Sequence, residues 1–405
     1  MRALEGRRVL LVVTGGIAAY KSADLVRRLR EAGAEVRVVL TDSARRFVGP
    51  VTFEALSGSP VLADVWERPL AHIELGKEAD VAVVAPATAD FLARMAAGRA
   101  DDLAGAALLA AACPVVACPA MNTRMWKHPA TRENVATLRE RGVHLVGPEE
   151  GELAEGETGM GRMSEPPAIV AETARVLGAA RSPLSGLRVV VTAGPTRAPL
   201  DPVRFVSNGS SGRMGFALAA AAWRRGADVR LVAGPTTVEP PHGPALRRVR
   251  ESSEMLEALR EELDGAALLL MAAAVGDFVA GAVSDRKIKK GSGPLELTLE
   301  PGPDLLAETR SVREEEGVLS LGFALETDAG EKRALEKLRE KGLDFIALNE
   351  AGAPDTGMEA ETNRVTLFDR WGGCEEMPLL RKEEVAERIL ERIEERLEDR
   401  DDGRG

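Results

Sequence analysis

The sequence predicts an α/β protein made of two doubly wound domains in tandem. Three observations predict it. In the first half, short apolar runs rich in Val alternate with helical patterns. Runs of this length without polar alternation suit parallel strands covered on both faces. Near residues 178–186 the pattern breaks into small residues, Ser and Pro, which marks a domain boundary. The second half then restarts the same grammar. A length of 405 residues accommodates two to three domains at about 150 residues each, and we divide the chain into residues 1–180 and 186–400.

The first strand is expected over residues 9–13, ending in Thr14-Gly15-Gly16, with a helix following to Gly33. Further strands are expected over residues 35–40, 81–85 and 115–118, with an edge strand over 143–146. In the second half, residues 187–191 lead into Thr192-Ala193-Gly194. Gly226-Ala227-Asp228-Val229-Arg230-Leu231 echoes Gly33-Ala34-Glu35-Val36-Arg37-Val38, as αβ units of one kind do without being repeats. Residues 268–271, 319–323 and 345–348 read as strands, and 295–299 and 364–368 as extra strands with partial alternation. Residues 381–400 form a charged amphipathic pattern, read as a solvated closing helix.

Composition narrows the function. Hydrophobic residues make up 45% and charged residues 29%, a globular balance, and the 3% of aromatics leaves the core to Ala, Val and Leu. The net charge of −11 with no basic tail argues against a nucleic acid polymer as partner, although a local Lys cluster can hold a nucleotide. Cys113, Cys118 and Cys374 have no zinc-type spacing, and His72, His128, His144 and His242 have no metal-helix spacing. Residues 1–8 are charged and run directly into a strand, and no apolar run has membrane-spanning length. These features predict a cytoplasmic protein that binds no membrane.

In doubly wound sheets, ligands sit beyond the carboxyl ends of the strands. Thr14-Gly15-Gly16-Ile17-Ala18 opens a helix there, and its N–H groups suit a phosphate or simply a tight turn. Thr41-Asp42-Ser43 and Pro86-Ala87-Thr88-Ala89-Asp90 supply hydroxyls, each of which reads equally as a helix cap. The three loops at consecutive strand ends argue more strongly together. His72, in His72-Ile73-Glu74-Leu75, reads by itself as a structural or surface histidine. Pro119-Ala120-Met121-Asn122 offers an amide for a carboxylate and a Met for an apolar ring, or a plain core patch.

Gly15-Gly16-Ile17-Ala18, His72-Ile73-Glu74-Leu75, Ala85-Pro86-Ala87-Thr88-Ala89-Asp90 and Pro119-Ala120-Met121-Asn122 occur in the order found in flavin-dependent cysteine decarboxylases. Nearly all of residues 7–380 resemble the bifunctional phosphopantothenoylcysteine decarboxylase / phosphopantothenate–cysteine ligases of coenzyme A synthesis. The resemblance implies a flavodoxin-like first domain that binds FMN through Gly15, Gly16, Ile17, Thr41, Ser43 and Thr88. It implies His72 as catalytic histidine and Asn122 as the group that holds the substrate carboxylate. The chemistry it implies is oxidation of the cysteine moiety by FMN, loss of CO₂, and reduction of the resulting enethiol. One departure falls in the substrate flap. The family has Leu-Ala-Cys-Gly where this chain has Leu153-Ala154-Glu155-Gly156, before Gly161-Arg162-Met163. Three readings stay open: Glu155 donates the final proton, Cys118 substitutes, or the final reduction is impaired. A carboxyl group serves as the donor only where burial raises its pKa.

In the second half, Asn208-Gly209-Ser210-Ser211-Gly212-Arg213-Met214-Gly215 precedes a helix and reads as a phosphate cradle or a capped loop. It lacks the P-loop pattern. Arg204 adds a guanidinium suited to phosphate or carboxylate, Asp277 follows a strand end, and Lys287-Ile288-Lys289-Lys290 is a local basic knot, either a polyphosphate grip or a solvated run. Lys337 and Lys341 share a helix face, interleaved with Glu336 and Glu340. The same family resemblance implies a Rossmann-like ligase domain that binds CTP through Met271, Ala272, Ala273, Asp277, Lys287, Pro303, Asp304, Leu305, Leu306, Phe323, Lys337 and Lys341. It implies activation of 4′-phosphopantothenate as an acyl-cytidylate with Mg²⁺, attack by cysteine, and Arg204 and Asn208 as substrate-binding residues, Asn208 and Lys287 being catalytic. It also implies a homo-oligomer with trimeric flavin contacts and dimeric ligase halves, up to a dodecamer. This chain departs from the family's Lys-Asn-Leu-Asp and Ala-Asn-Asp-Val at Lys341-Gly342-Leu343-Asp344 and Leu348-Asn349-Glu350-Ala351. Two other readings are a ligase with a diverted flavin domain and a flavin- and nucleotide-binding module without turnover.

Overall fold

The structure is a computed structural model and describes residues 3–154, 156–290, 295–326, 330–350, 357 and 360–402. The chain forms two compact units, Met1–Ala180 and Arg181–Gly405.

The first unit holds β1 (Arg8–Val13), β2 (Glu35–Leu40), β3 (Val81–Ala87), β4 (Val115–Pro119) and β5 (His144–Leu145). They pair in parallel in the order β2-β1-β3-β4-β5, the flavodoxin-like order. The period of two sends alternate side chains to opposite faces. Val9, Leu11 and Val13 join the core under the helices Ala19–Glu31 and Pro166–Ala179. Leu10 and Val12 join the core under Ala71–Glu78, Ala89–Ala96 and Leu103–Ala110. Because both faces are covered, the strands carry no polar alternation. Strands β6 (Glu149–Glu152) and β7 (Thr158–Arg162) form a separate antiparallel hairpin.

The second unit contains β8 (Arg188–Ala193), β9 (Arg197–Pro199), β10 (Phe205–Ser207), β11 (Asp228–Ala233), β12 (Ala245–Arg248) and β13 (Leu268–Met271). After these come β14 (Phe278–Ala280), β15 (Leu299–Pro301), β16 (Leu319–Glu326), β17 (Phe345–Glu350), β18 (Thr362–Asn363), β19 (Val365–Asp369), β20 (Cys374–Glu376) and β21 (Leu380–Arg381). Eight of them form one sheet in the order β12-β11-β8-β13-β16-β17-β19-β20. The first six are parallel in the Rossmann order, and β19 and β20 add an antiparallel edge. The closing helix, Lys382–Asp402, buries Val385, Ala386, Ile389, Leu390 and Ile393 completely. Glu387 and Glu394 on it pair with Arg225 at 2.5 Å and 2.9 Å, at the end of the helix Arg213–Arg224.

The expected strand over 295–299 is corrected. The strand is Leu299–Pro301, and among the described residues it pairs with Phe278–Ala280 in a two-stranded ribbon. Leu295, Leu297 and Leu299 are all exposed, so their alternation faces no core. The switch points lie where neighbouring connections diverge, between β1 and β3 in the first unit and between β8 and β13 in the second.

Candidate active sites

In the first unit, three loops at the carboxyl ends of β1, β2 and β3 meet. The Thr14 hydroxyl donates to the Pro86 carbonyl at 2.6 Å and accepts from the Thr88 N–H at 3.3 Å. Thr88 caps its helix by accepting from the Phe91 N–H at 3.3 Å. Thr41 and Ser43 share a hydroxyl–hydroxyl bond of 3.2 Å. Gly15 lies so close to Ser43 that a Cβ there would run into the serine side chain, and a Cβ on Gly16 would come within 3.3 Å of the Thr88 methyl. The structure therefore brings Gly15, Gly16, Thr41, Ser43 and Thr88 into one cradle, with Ile17 exposed at its lip. Hydroxyls and N–H groups at a helix start, beside an exposed aliphatic side chain, fit a phosphate and an apolar ring.

The Asn122 segment carries the hairpin β6–β7. The Met121 N–H donates to the Gly161 carbonyl at 2.9 Å. A Cβ on Gly161 would run into the Met121 carbonyl, and one on Gly159 would crowd Thr123, so glycine permits this close approach. Asn122 Oδ1 accepts from the Arg124 N–H at 2.7 Å, which fixes the orientation of its amide. The hairpin tip is closed by Leu153 and Gly156, whose N–H groups donate to Glu157 and Leu153 carbonyls at 2.8 Å and 2.9 Å. Glu155, at that tip, lies outside the described residues. Cys118 has no exposure and packs in the apolar core, where burial, helped by the charge of Glu172, pushes its thiol pKa upward. His72 takes no part in the hydrogen bonds that join the cradle among the described residues. It is half-buried on the helix Ala71–Glu78 and lines a separate hollow of 710 Å³ with Trp66, Leu70 and Leu109.

The second unit has a cavity of 730 Å³ beyond the ends of its central strands. Met271, Ala272, Ala273 and Asp277 line it from the segment after β13, and Phe323 lines it from β16. The Ala273 N–H donates to the Thr192 hydroxyl at 3.1 Å, which ties this wall to the end of β8. Asn208 reaches the same wall and donates to the Ala274 carbonyl at 3.0 Å. Pro303, Asp304, Leu305 and Leu306 form another side. Asp304 caps the short helix Leu305–Glu308 by accepting from the Ala307 N–H at 3.0 Å, and it pairs with Lys341. Burial works to raise its carboxyl pKa, but the Lys341 bond, the Ala307 N–H and the charges of Lys341 and Lys337 together hold it below the usual range. Lys337 also lines the cavity and donates to the Phe323 carbonyl at 2.9 Å.

Two predicted residues stand outside this lining. Arg204 donates to Asp201 at 3.0 Å and to the Ile288 carbonyl at 2.7 Å, while the Ile288 N–H donates to Asp201 at 3.0 Å. The pair thus clamps the basic segment, and Lys287 on that segment is exposed. Sequence reasoning missed Lys382, which lines the cavity yet is only 3% exposed. It begins the charged closing helix, where one more Lys carries no signal.

Among the described residues, no group of three His, Cys, Asp or Glu side chains could hold a metal ion. No helix among them is long and apolar enough to cross a membrane.

A model described as Flavoprotein matches residues 1–178, and one described as DNA/pantothenate metabolism flavoprotein C-terminal domain matches residues 184–397. The coenzyme A biosynthesis bifunctional protein CoaBC of Vibrio cholerae is 43% identical over 392 residues, covering 95% of this chain and 97% of that protein. The chain belongs to the CoaBC family. The CoaBC protein of Escherichia coli K12 is 42% identical over 394 residues, with 95% and 96% of the two chains covered. The crystal structure of the FMN-dependent cysteine decarboxylase SpaF is 37% identical over 43% of this chain and 97% of that one, with a TM-score of 0.38. As a CoaBC protein this chain is a bifunctional decarboxylase and ligase of coenzyme A biosynthesis.

Proposed function

We propose that residues 186–400 of this CoaBC protein join cysteine to 4′-phosphopantothenate with CTP, and that residues 1–180 decarboxylate the product to 4′-phosphopantetheine. The 730 Å³ cavity carries the first half of this reading, because it gathers Met271–Ala273, Asp277, Pro303–Leu306, Phe323, Lys337 and Lys341 around one volume. A carboxylate does not accept an amine until it has a good leaving group. Its oxygen therefore attacks the α-phosphorus of CTP, a P–O bond forms, and pyrophosphate departs. The cysteine amine then attacks the acyl carbon and CMP leaves with the C–O bond electrons. Lys287 neutralises charge as the acyl-cytidylate forms, and Mg²⁺ accompanies the triphosphate. Asn208 and Arg204 serve the pantothenate side, Arg204 through its grip on the segment that bears Lys287.

The cradle of Gly15, Gly16, Ile17, Thr41, Ser43 and Thr88 would hold FMN, which supplies a two-electron acceptor and donor when bound. Asn122, its amide fixed by the cap bond, binds the substrate carboxylate, and the flap folds from the segment that carries it. His72 moves the proton of the oxidative step. Glu155 stands where the family has its donor cysteine, and we assign it the final proton. Cys118 is fully buried in the apolar core, which disfavours it as the substitute. Exposed Trp66, Leu70 and Leu109 around His72 support a homo-oligomer with trimeric flavin contacts, since apolar patches of this kind mark interfaces. The assembly we propose also has dimeric ligase units, up to a dodecamer. The Glu155 departure keeps one other reading alive, a ligase with a diverted flavin unit.

The half-reactions test this directly. With Mg²⁺, CTP and 4′-phosphopantothenate but no cysteine, the purified protein should release pyrophosphate and form the acyl-cytidylate. Absence of CTP-dependent release contradicts the ligase assignment. With supplied phosphopantothenoylcysteine and FMN it should release CO₂, and no release contradicts the decarboxylase assignment.

A further inference from the structure

Behind the lining of the second unit's cavity lies a buried charge that no motif accounts for. Arg313, on the helix Arg310–Glu315, is 3% exposed and is not itself a lining residue. A guanidinium stays ionised, so burying it is costly unless acceptors meet its N–H groups. Burial pushes its pKa downward, and Asp344 opposes this. Nη2 donates to the Leu306 and Lys341 carbonyls, each at 2.9 Å. Nη1 donates to the Gly342 carbonyl at 3.1 Å and to the Ser320 hydroxyl at 3.0 Å. Ser320 passes its own hydroxyl and N–H to Asp344, at 3.1 Å and 2.8 Å. The carboxylate that offsets the buried charge is thus reached through one serine.

The acceptors stand on three elements that carry lining side chains. Leu306 is on the short helix Leu305–Glu308 and lines the cavity. Lys341 lines it too, and the Lys341 and Gly342 carbonyls follow the end of the helix Gly330–Glu340, where carbonyls lack helical partners. Ser320 is on β16, which also presents Phe323 to the cavity. On the cavity side, the Asp304–Lys341 ion pair joins two of the same elements. Replacing a buried ion by a well-packed apolar side chain is often neutral for stability, so packing alone does not call for an arginine here.

We propose that Arg313 is a positioning residue of the ligase site: its grip on the Leu306 and Lys341 carbonyls fixes the separation of the Asp304–Leu306 segment from Lys341, and with it the affinity for the nucleotide. This rests on the nucleotide reading of the cavity above, and adds to it a residue that touches no substrate. A planar guanidinium suits the task better than an ammonium, because its donors point in fixed directions within one plane.

The test is a mutant cycle on the full chain, with Arg313→Met, Arg313→Lys, Lys341→Met and the pair Arg313→Met with Lys341→Met compared with the unsubstituted protein. Equilibrium binding uses Mg·CTP as the probe, and KM values come from pyrophosphate release with 4′-phosphopantothenate and cysteine. Arg313→Met should weaken Mg·CTP about tenfold and leave KM for cysteine within about twofold, as displaced binding groups do. Arg313→Lys keeps the charge without the planar fork and should still weaken Mg·CTP about fivefold. With Lys341→Met in place, Arg313→Met should weaken it less than about threefold, because residues of one network do not act additively. Unchanged affinity for Mg·CTP in folded Arg313→Met overturns the proposal. A lowered unfolding midpoint with a normal KM for CTP also overturns it, since that marks a purely structural arginine. Losses that multiply independently in the paired variant, or full recovery by Arg313→Lys, contradict the clamp. Should Arg313→Met fail to fold, Arg313→Lys, alone and with Lys341→Met, carries the same comparison. If the unsubstituted protein binds no Mg·CTP, the nucleotide reading fails and this proposal with it, a result distinct from variants that bind as well as the unsubstituted chain.

Discussion

At the residue scale, three positions test the proposed roles separately. His72→Asn should lower CO₂ release by about 10²–10⁴-fold, the usual worth of a positioned acid–base group, while CTP-dependent ligation continues. Unchanged decarboxylation would remove His72 from the chemistry. Lys287→Gln should slow acyl-cytidylate formation about 10²-fold, read as pyrophosphate release. Lys287 is exposed and outside the cavity lining, so normal release would show that the basic segment does not reach the reacting carboxylate. Gly15→Ala should empty the flavin site, because its Cβ would displace Ser43. Flavin absorbance of the purified variant checks this, and full occupancy would contradict the cradle. Sequence motifs placed the Gly15, Thr41, Ser43 and Thr88 loops at strand ends, and the fold brings them together. Lys382 could not be read that way, because burial of one lysine in a charged helix depends on tertiary packing and leaves no local pattern.

At the element scale, the flap hairpin and the closing helix are each held by a few contacts. In Gly161→Ala the new Cβ would push against the Met121 carbonyl, at a φ of 153°. Such overpacking costs about 1–3 kcal/mol and should shift the flap away from Asn122. A rise in KM for phosphopantothenoylcysteine with ligation unaffected is the expected result, and unchanged KM would separate the flap from substrate binding. The closing helix is clamped by Glu387, which contacts both Arg224 and Arg225 at 2.5 Å. Burial tends to raise its carboxyl pKa, but the two guanidiniums outweigh it and hold the value below 4.5. A carboxyl depressed on folding stabilises the fold above its unfolded pKa, and that contribution is lost as the pH falls through the folded value. Glu387→Gln should therefore lower stability at pH 7 by about 1.5–3 kcal/mol, the worth of a charged hydrogen bond. The gap from the unsubstituted protein should close as the pH falls below about 4.5, as measured by denaturant unfolding. A gap independent of pH would contradict the clamp.

Elements also show where the sequence was legible. The buried parallel strands announce themselves through continuous apolar runs, and Leu268–Met271 and Glu35–Leu40 match their expected bounds. Strands Ala245–Arg248 and Cys374–Glu376 are short, polar and at the sheet edge, so their pairing comes from neighbours rather than their own composition. Residues 295–299 show the opposite failure, alternation without a face to bury.

At the scale of the whole molecule, the strand order of each unit brings loops from distant stretches of sequence together beyond the carboxyl ends of its central strands. The glycines and hydroxyls of the first unit and the lysines of the second are spread over long stretches of sequence, and only topology makes two sites of them. Whether both sites complete their chemistry turns on Glu155. The measurement that decides it is product analysis, by chromatography with mass detection, of the purified chain given FMN, Mg²⁺, CTP, cysteine and 4′-phosphopantothenate. Accumulation of 4′-phosphopantetheine is the predicted result, with both units active and the proton supplied without the family's cysteine. Accumulation of phosphopantothenoylcysteine, or of its oxidised decarboxylated form, would contradict it and leave a ligase joined to a diverted flavin unit.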